Sequence, residues 1–236
     1  MNENTSLTFK TGLSHGIPIF LGYLSVSMAF GIIAVSSGLS VGECVIISAT
    51  NVTSAGQLSA VTLMANGASL FEMGLTQFII NLRYALMSLS LSQKIGTSIK
   101  FLDRFIISFM VTDEVFAVSA SQKGAVPKKY MYGLILMPFI GWVSGTFIGA
   151  AASSILPMSV RSALGIALYS MFIAIVIPPS KKAAPIRNVV IGAALLRCIF
   201  FYTPYLRDIS SGFSIIICTV IAAGVAAVTC PIEEGA

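Results

Sequence analysis

The chain has 236 residues, 56% of them hydrophobic and only 10% charged, and its mean hydropathy is +0.91. A soluble domain carries roughly 25% charged residues, so this chain cannot cover a water-facing surface and reads as an all-α, polytopic integral membrane protein. The net charge of +5 does not point to nucleic acid, because the cations fall in short loop clusters (Lys123, Lys128 and Lys129; Lys181, Lys182 and Arg187) that orient membrane helices instead.

Eight apolar segments are predicted, at approximately 16–37, 43–65, 70–93, 104–122, 130–152, 160–178, 186–204 and 211–230, each near the length that spans a bilayer. Together they make one transmembrane transporter domain, 1–236; the number of spans falls to seven if the second segment is re-entrant. A polar N-terminal stretch without a cleavage site precedes the first segment, which is therefore read as a retained helix. His15, just ahead of it, reads as a solvated interfacial side chain.

The second segment is polar where a lipid-facing helix is apolar: Asn51-Val-Thr-Ser-Ala-Gly-Gln57. Either its hydroxyls bond back to its own carbonyls in a close-packed helix, or the helix is broken near Gly56 and freed backbone groups line a cavity. The break is the preferred expectation, since Asn51 and Gln57 join the small residues. In the third segment Gln77, Asn81, Tyr84, Ser88 and Ser92 recur at helical spacing as one polar stripe. Interhelical hydrogen bonding is one reading, and the wall of a solute path is the other. Arg83 falls off that stripe, about 200° from Asn81. It either pairs with an acid on a neighbouring helix or holds a substrate carboxylate.

The fourth segment carries Asp113 and Glu114 in the middle of its apolar run. A carboxylate at the centre of a membrane helix costs about 2.5–3.5 kcal/mol on insertion scales, so two adjacent ones need cations, protons or a polar cavity. They are expected to neutralise Arg83 and Arg197, or one of them titrates as the coupling site. Asp113 is preferred for that role because its face continues through the small Ala117 and Ala120. In the fifth segment Trp142 joins Gly141, Gly145 and Gly149 in a small-xxx-small packing face. Pro18, Gly22, Tyr23 and Phe30 echo Pro138, Gly141, Trp142 and Phe147, which suggests repeats over 16–122 and 130–230, parallel or inverted. Arg197 in the seventh segment is a second buried cation or a snorkelling one. Cys44, Cys198, Cys218 and Cys230 form no C-x-x-C pattern and read as free buried thiols.

With eight spans and a cytoplasmic N-terminus, seven cations lie inside (Lys10, Lys123, Lys128, Lys129, Lys181, Lys182, Arg187) and five outside (Lys94, Lys100, Arg104, Arg161, Arg207). That bias is small. The sequence has one His, no G-x-S-x-G and no Walker A loop, so neither enzyme, metal nor cofactor chemistry is expected.

Asn81-Leu-Arg-Tyr84 and Thr112-Asp-Glu-Val-Phe-Ala117 resemble two hallmark stretches of the AzlC family, the large subunits of bacterial branched-chain amino acid exporters. Gly16-Ile-Pro18 through Gly22-Tyr23 to Ala29-Phe30-Gly31 is similar to that family's first helix, and Trp142-Val-Ser-Gly-Thr146-Phe-Ile-Gly149-Ala to its fifth. Departures fall near the expected cavity. Val52-Thr-Ser-Ala-Gly-Gln-Leu58 keeps Gln57 but lacks the family's aromatic residues there, and Tyr84 stands where the family usually has His. The resemblance implies a multi-pass protein of the bacterial inner membrane and a small AzlD-like membrane subunit as partner. The leading expectation is a secondary carrier, coupled to an ion gradient (protons), that exports branched-chain or similar apolar amino acids. Asn51, Gln57, Gln77, Asn81 and Tyr84 would contact substrate, and Asp113, Glu114, Arg83 and Arg197 would form the coupling or buried charge network. The competing expectations are a membrane subunit with an assembly or regulatory task and, less favoured, a membrane-embedded hydrolase.

Overall fold

A computed structural model describes residues 7–95 and 99–229 of the chain. The described residues are all-helical: α1 Phe9–Ser36, α2 Val41–Thr50, α3 Ser54–Ala65, α4 Leu70–Lys94, α5 Phe101–Phe109, α6 Asp113–Ala120, α7 Lys128–Ala152, α8 Met158–Lys182, α9 Ala184–Tyr202, α10 Pro204–Arg207 and α11 Ser211–Thr229. Four of them, α1, α7, α9 and α11, are long and apolar enough to cross a membrane. Contacts divide the chain into two compact units, one of residues 1–58 and 81–168 and the other of 59–80 and 169–236.

The first unit is organised on the α1–α7 pair. The helices run in the same direction, with Gly133 against Phe9 and Leu13, Gly141 against Phe20, Gly145 against Leu24 and Ser27, and Gly149 against Met28. Gly12, Gly16 and Gly31 of α1 return the contact, so the two backbones touch along their whole length. A Cβ at Gly12, Gly133 or Gly149 would stand 2.1–2.2 Å from a backbone carbonyl oxygen of the other helix. Without a hydrophobic drive between helices in lipid, such close approach is what holds them together.

Two of the predicted segments are interrupted. α2 ends at Thr50 and α3 begins at Ser54, so Gly56 lies inside α3 and the interruption falls earlier than the glycine suggests. The reason is Asn51, in extended conformation (φ −144, ψ 110), whose Oδ1 accepts from the Thr53 backbone N–H at 3.2 Å and from the Thr53 hydroxyl. This Asx turn supplies locally what a helix would otherwise supply.

Segment 104–122 is not one helix either. α5 closes at Met110, whose N–H bonds Ile107, and Thr112 opens α6 as its N-cap, Oγ1 accepting from Val115 N–H at 3.4 Å. Both ends of this segment lie at one end of the unit. The Lys94 ammonium donates to the Ala120 carbonyl, Val126 N–H donates to the Lys94 carbonyl at 3.1 Å, and Asp103 meets Lys128 at 3.4 Å and the Tyr132 hydroxyl at 2.7 Å.

In the second unit α9 and α11 pack antiparallel, with Arg197 Nη1 donating to Ser214 Oγ at 2.5 Å. The start of α4 is tied to the start of α11 through Glu72, which accepts from the Ser210 hydroxyl and from Gly212 N–H at 3.2 Å. Cys44 and Cys218 are free and buried, whereas Cys198 is free but exposed because it lies on an outward face of α9. Cys230 lies outside the described residues, as do the side chains of Arg161 and Arg207.

Candidate functional site

The interruption before α6 changes the setting of the acid pair. Asp113 and Glu114 are not mid-helix but occupy the first turn of a helix capped by Thr112. Exposed N–H groups and the positive end of the helix dipole stabilise carboxylates there. The sequence carries the signal, a Thr followed by two acids, but the apolar run around it reads as continuous.

Each acid has its own partner. Arg83 Nη1 lies 2.9 Å from Asp113 Oδ2, an ion pair with the Asp113 side chain half-buried and the Arg83 side chain 42% exposed. The same guanidinium donates to the Tyr84 hydroxyl at 2.8 Å and lies 4.7 Å from that ring's centroid. Glu114 Oε2 instead accepts a 2.5 Å hydrogen bond from the hydroxyl of Tyr23, a buried residue midway along α1. Asp113 thus holds a permanent cation, and Glu114 holds a neutral phenol.

Tyr23 connects this cluster to a second one. Its ring meets Trp142 edge-on, centroids 5.3 Å apart at 70°. Trp142 Nε1 donates to Gln57 Oε1 at 2.8 Å, Gln57 Nε2 donates to Ser48 Oγ at 2.9 Å, and Ser48 lies 2.7 Å from Thr146 Oγ1. Gln57, Ser48 and Thr146 are fully buried. Indole can only donate, so Trp142 sets the orientation of the Gln57 amide. Ser48 accepts from that amide and shares a further hydrogen bond with the Thr146 hydroxyl. The chain of bonds fixes α2 and α3 to α7 next to the acid cluster.

The third-segment residues divide between the units. Asn81, Tyr84, Ser88 and Ser92 are half-buried on one face of α4 in the first unit, while Gln77 falls in the second. Ser88 and Ser92 line a cavity of about 450 Å³ between α4 and α5, together with Ala85, Arg104, Ser108 and Val111. The cavity runs from the Arg104 end of α5 to the residue before Thr112. Arg197 is an exposed residue of the second unit that bonds Ser214 across the α9–α11 pair. His15 is not freely solvated: its Nδ1 lies 2.8 Å from the hydroxyl of buried Tyr130, because α1 and α7 touch at that level.

The residues that sequence reasoning left out are Tyr23 as a partner of Glu114, Ser48 and Trp142 as partners of Gln57, and Thr146 as the partner of Ser48. Tyr23 and Trp142 stood in the stretches resembling family helices, but nothing local in a sequence says which distant polar group a buried phenol or indole meets. Among the described residues no three His, Cys, Asp or Glu side chains gather as a metal site.

The AzlC protein family matches residues 18–156, which contain α2 to α7 and most of α1. A protein of Archaeoglobus fulgidus named as an uncharacterized membrane protein is 32% identical over 192 residues, covering 80% of this chain and 84% of its own length. The inner membrane protein YgaZ of Escherichia coli is 29% identical over 184 residues, covering 75% of each. An uncharacterized membrane protein of Helicobacter pylori J99 is 26% identical over 198 residues, 79% of this chain and 82% of its own. No solved structure matches the chain. A match over more than half the chain, and a relative of this identity across four-fifths of it, make the chain a member of the AzlC family of membrane proteins.

Proposed function

We propose that the chain is the transport subunit of a secondary exporter of branched-chain or similar apolar amino acids in the cytoplasmic membrane, driven by protons exchanged at Glu114. The observation that carries the reading is the pairing at the tip of the α5–α6 segment: Asp113 on Arg83, Glu114 on Tyr23. Protonating Asp113 would take the counter-charge from the Arg83 guanidinium and leave it only the neutral Tyr84 hydroxyl and ring. Protonating Glu114 strands nothing, since a phenol can donate to a carboxylate or accept from a carboxylic acid. On these hydrogen-bond partners the proton-exchanging role is proposed for Glu114, in place of Asp113. As an anion, Glu114 can hold the ammonium group of a zwitterionic substrate; as an acid, it releases it. A carrier that alternates these states exchanges protons for amino acid. The cavity between α4 and α5 supports an approach route, polar along Ser88, Ser92, Arg104 and Ser108 and apolar elsewhere.

The topology of this reading differs from eight plain spans. α5 and α6 enter and leave at one end, the end where α4 finishes and α7 starts. α7 runs with α1, so within the first unit Lys94, Lys100 and Arg104 fall at the end where α1 begins, together with Lys10, Lys123, Lys128 and Lys129. Under the positive-inside rule this cluster supports a cytoplasmic N-terminus. Interrupted helices are where transporters build their sites. The same reading retains a small membrane subunit as partner, and full transport by this chain alone in liposomes would remove it.

The test is transport in vesicles under an imposed pH gradient, with Glu114→Gln and Asp113→Asn side by side. Glu114→Gln should lose pH-driven export yet keep exchange of substrate for substrate. Asp113→Asn should lower the amount of folded protein, and Arg83→Gln added to it should restore that amount. Normal pH-driven export by Glu114→Gln would sink the coupling role.

A further inference from the structure

We propose that the second unit holds a sodium site where α4 and α11 begin, formed by Glu72, Thr76 and Ser210. Glu72 is only 5% exposed. Its Oε1 accepts from the Ser210 hydroxyl and from the backbone N–H of Gly212, at 3.2 Å. Neither of the ion pairs among the described residues involves it, so a buried carboxylate stands with neutral donors alone. That is a costly arrangement for an anion in an apolar unit.

Thr76 supplies the second observation. It lies one helical turn after Glu72 on the same face of α4, is fully buried, and its Oγ1 has no hydrogen-bond partner among the described residues. A buried hydroxyl without a partner is rare and calls for a missing ligand. Both oxygens face Gly212 at the start of α11. A Cβ built at Gly212 would stand 2.6 Å from Glu72 Oε1 and 2.7 Å from Thr76 Oγ1. Glycine at this position is what lets the start of α11 come down onto them.

The donor set selects the ligand. One carboxylate and two hydroxyls, with no thiol or imidazole, suit a hard cation held by oxygen. A single anionic charge is neutralised by a monovalent ion and leaves a divalent ion short of counter-charge. Packing too tight for a methyl group at Gly212 favours the smaller Na+ over K+. The bound ion would complete the tie between α4, which also carries Arg83 and Tyr84, and α11. The site does not depend on the transport reading.

Purified protein in lipid nanodiscs would be unfolded thermally in increasing NaCl, with choline chloride holding ionic strength and KCl as comparison. The wild type should show a saturable rise in midpoint with Na+ that choline does not produce and that KCl produces only at several-fold higher concentration. Thr76→Val, nearly the same shape, should keep its midpoint in choline and lose the response to Na+. Glu72→Gln should lose it as well. A wild type indifferent to Na+ would mean that Glu72 is only a cap on α11 with water beside Thr76, and the proposal fails. A Na+ response unchanged in Thr76→Val places the ion elsewhere and also overturns it. Should Glu72→Gln fail to fold, the Thr76→Val comparison still decides.

Discussion

Replacing Gly149 by alanine offers a direct test of the packing that positions the acid cluster. The added methyl would stand 2.1 Å from the Met28 carbonyl oxygen, 2.6 Å from its Cα and 2.7 Å from its carbonyl carbon. Ordinary contact begins at 3.4 Å, and all three atoms are backbone, so no rotamer change relieves the clash. α1 and α7 must separate by more than an ångström at this level. Overpacking of this kind costs about 1–3 kcal/mol, and alanine returns up to about 1 kcal/mol through helix propensity. The net expectation is a loss of about 1–2 kcal/mol. Gly22→Ala is the matched control: it lies on the same pair of helices, but a Cβ there meets nothing within 4 Å. It should be neutral or stabilising by up to about 1 kcal/mol. Unfolding of both variants in nanodiscs, monitored by thermal midpoint, reads the difference. Separation of the helices should also weaken the Tyr23–Trp142 contact and lower transport in Gly149→Ala alone. If the two variants shift stability by the same amount and sign, the backbone contact between α1 and α7 is not as described.

Two further outcomes follow from single hydrogen-bonded groups. Trp142→Phe leaves the Gln57 carbonyl oxygen buried without its donor, which should cost about 1–3 kcal/mol; adding Gln57→Leu should recover part of that loss in a double-mutant cycle of unfolding midpoints, and strict additivity would contradict the bond. Asp103, at the polar start of α5, has its carboxyl held below the ordinary carboxylate range, chiefly by the Tyr132 hydroxyl and further by the Lys100 N–H and by Lys128. A carboxyl depressed on folding contributes stability that is present above its unfolded pKa, about 3.9, and is lost as pH falls through the lower folded value. Asp103→Asn should therefore flatten the decline of the unfolding midpoint below about pH 4; an unchanged slope would exclude Asp103 as a contributor.

The sequence alone determined class and inventory. Only 10% charged residues among 236 leaves no alternative to a membrane interior, and hydrophobic length placed α4, α7, α9 and α11 within a few residues and the end of α1, whose start lies seven residues earlier than expected, because a helix that must cover its own backbone in lipid has to be long and apolar. The residues that matter chemically were also visible, since Asp113, Glu114, Arg83 and Gln57 are costly in such runs. What the sequence did not decide is where helices stop and what meets what. The interruption at 110–112 carries no Gly or Pro, and Met110 and Val111 look like any membrane residues; it shows only in the Thr112 cap and in contacts from Lys94 to Ala120 and Val126. The interruption at 51–53 rests on one Asn side chain turning back on Thr53. Asp113 and Glu114 are neighbours with similar chemistry, and their different roles come from Arg83 and Tyr23, which stand 30 and 91 positions away. Local composition sets how much a buried charge costs. Which charge is compensated, and by what, depends on distant parts of the chain, and that is settled only when α1, α4, α6 and α7 pack.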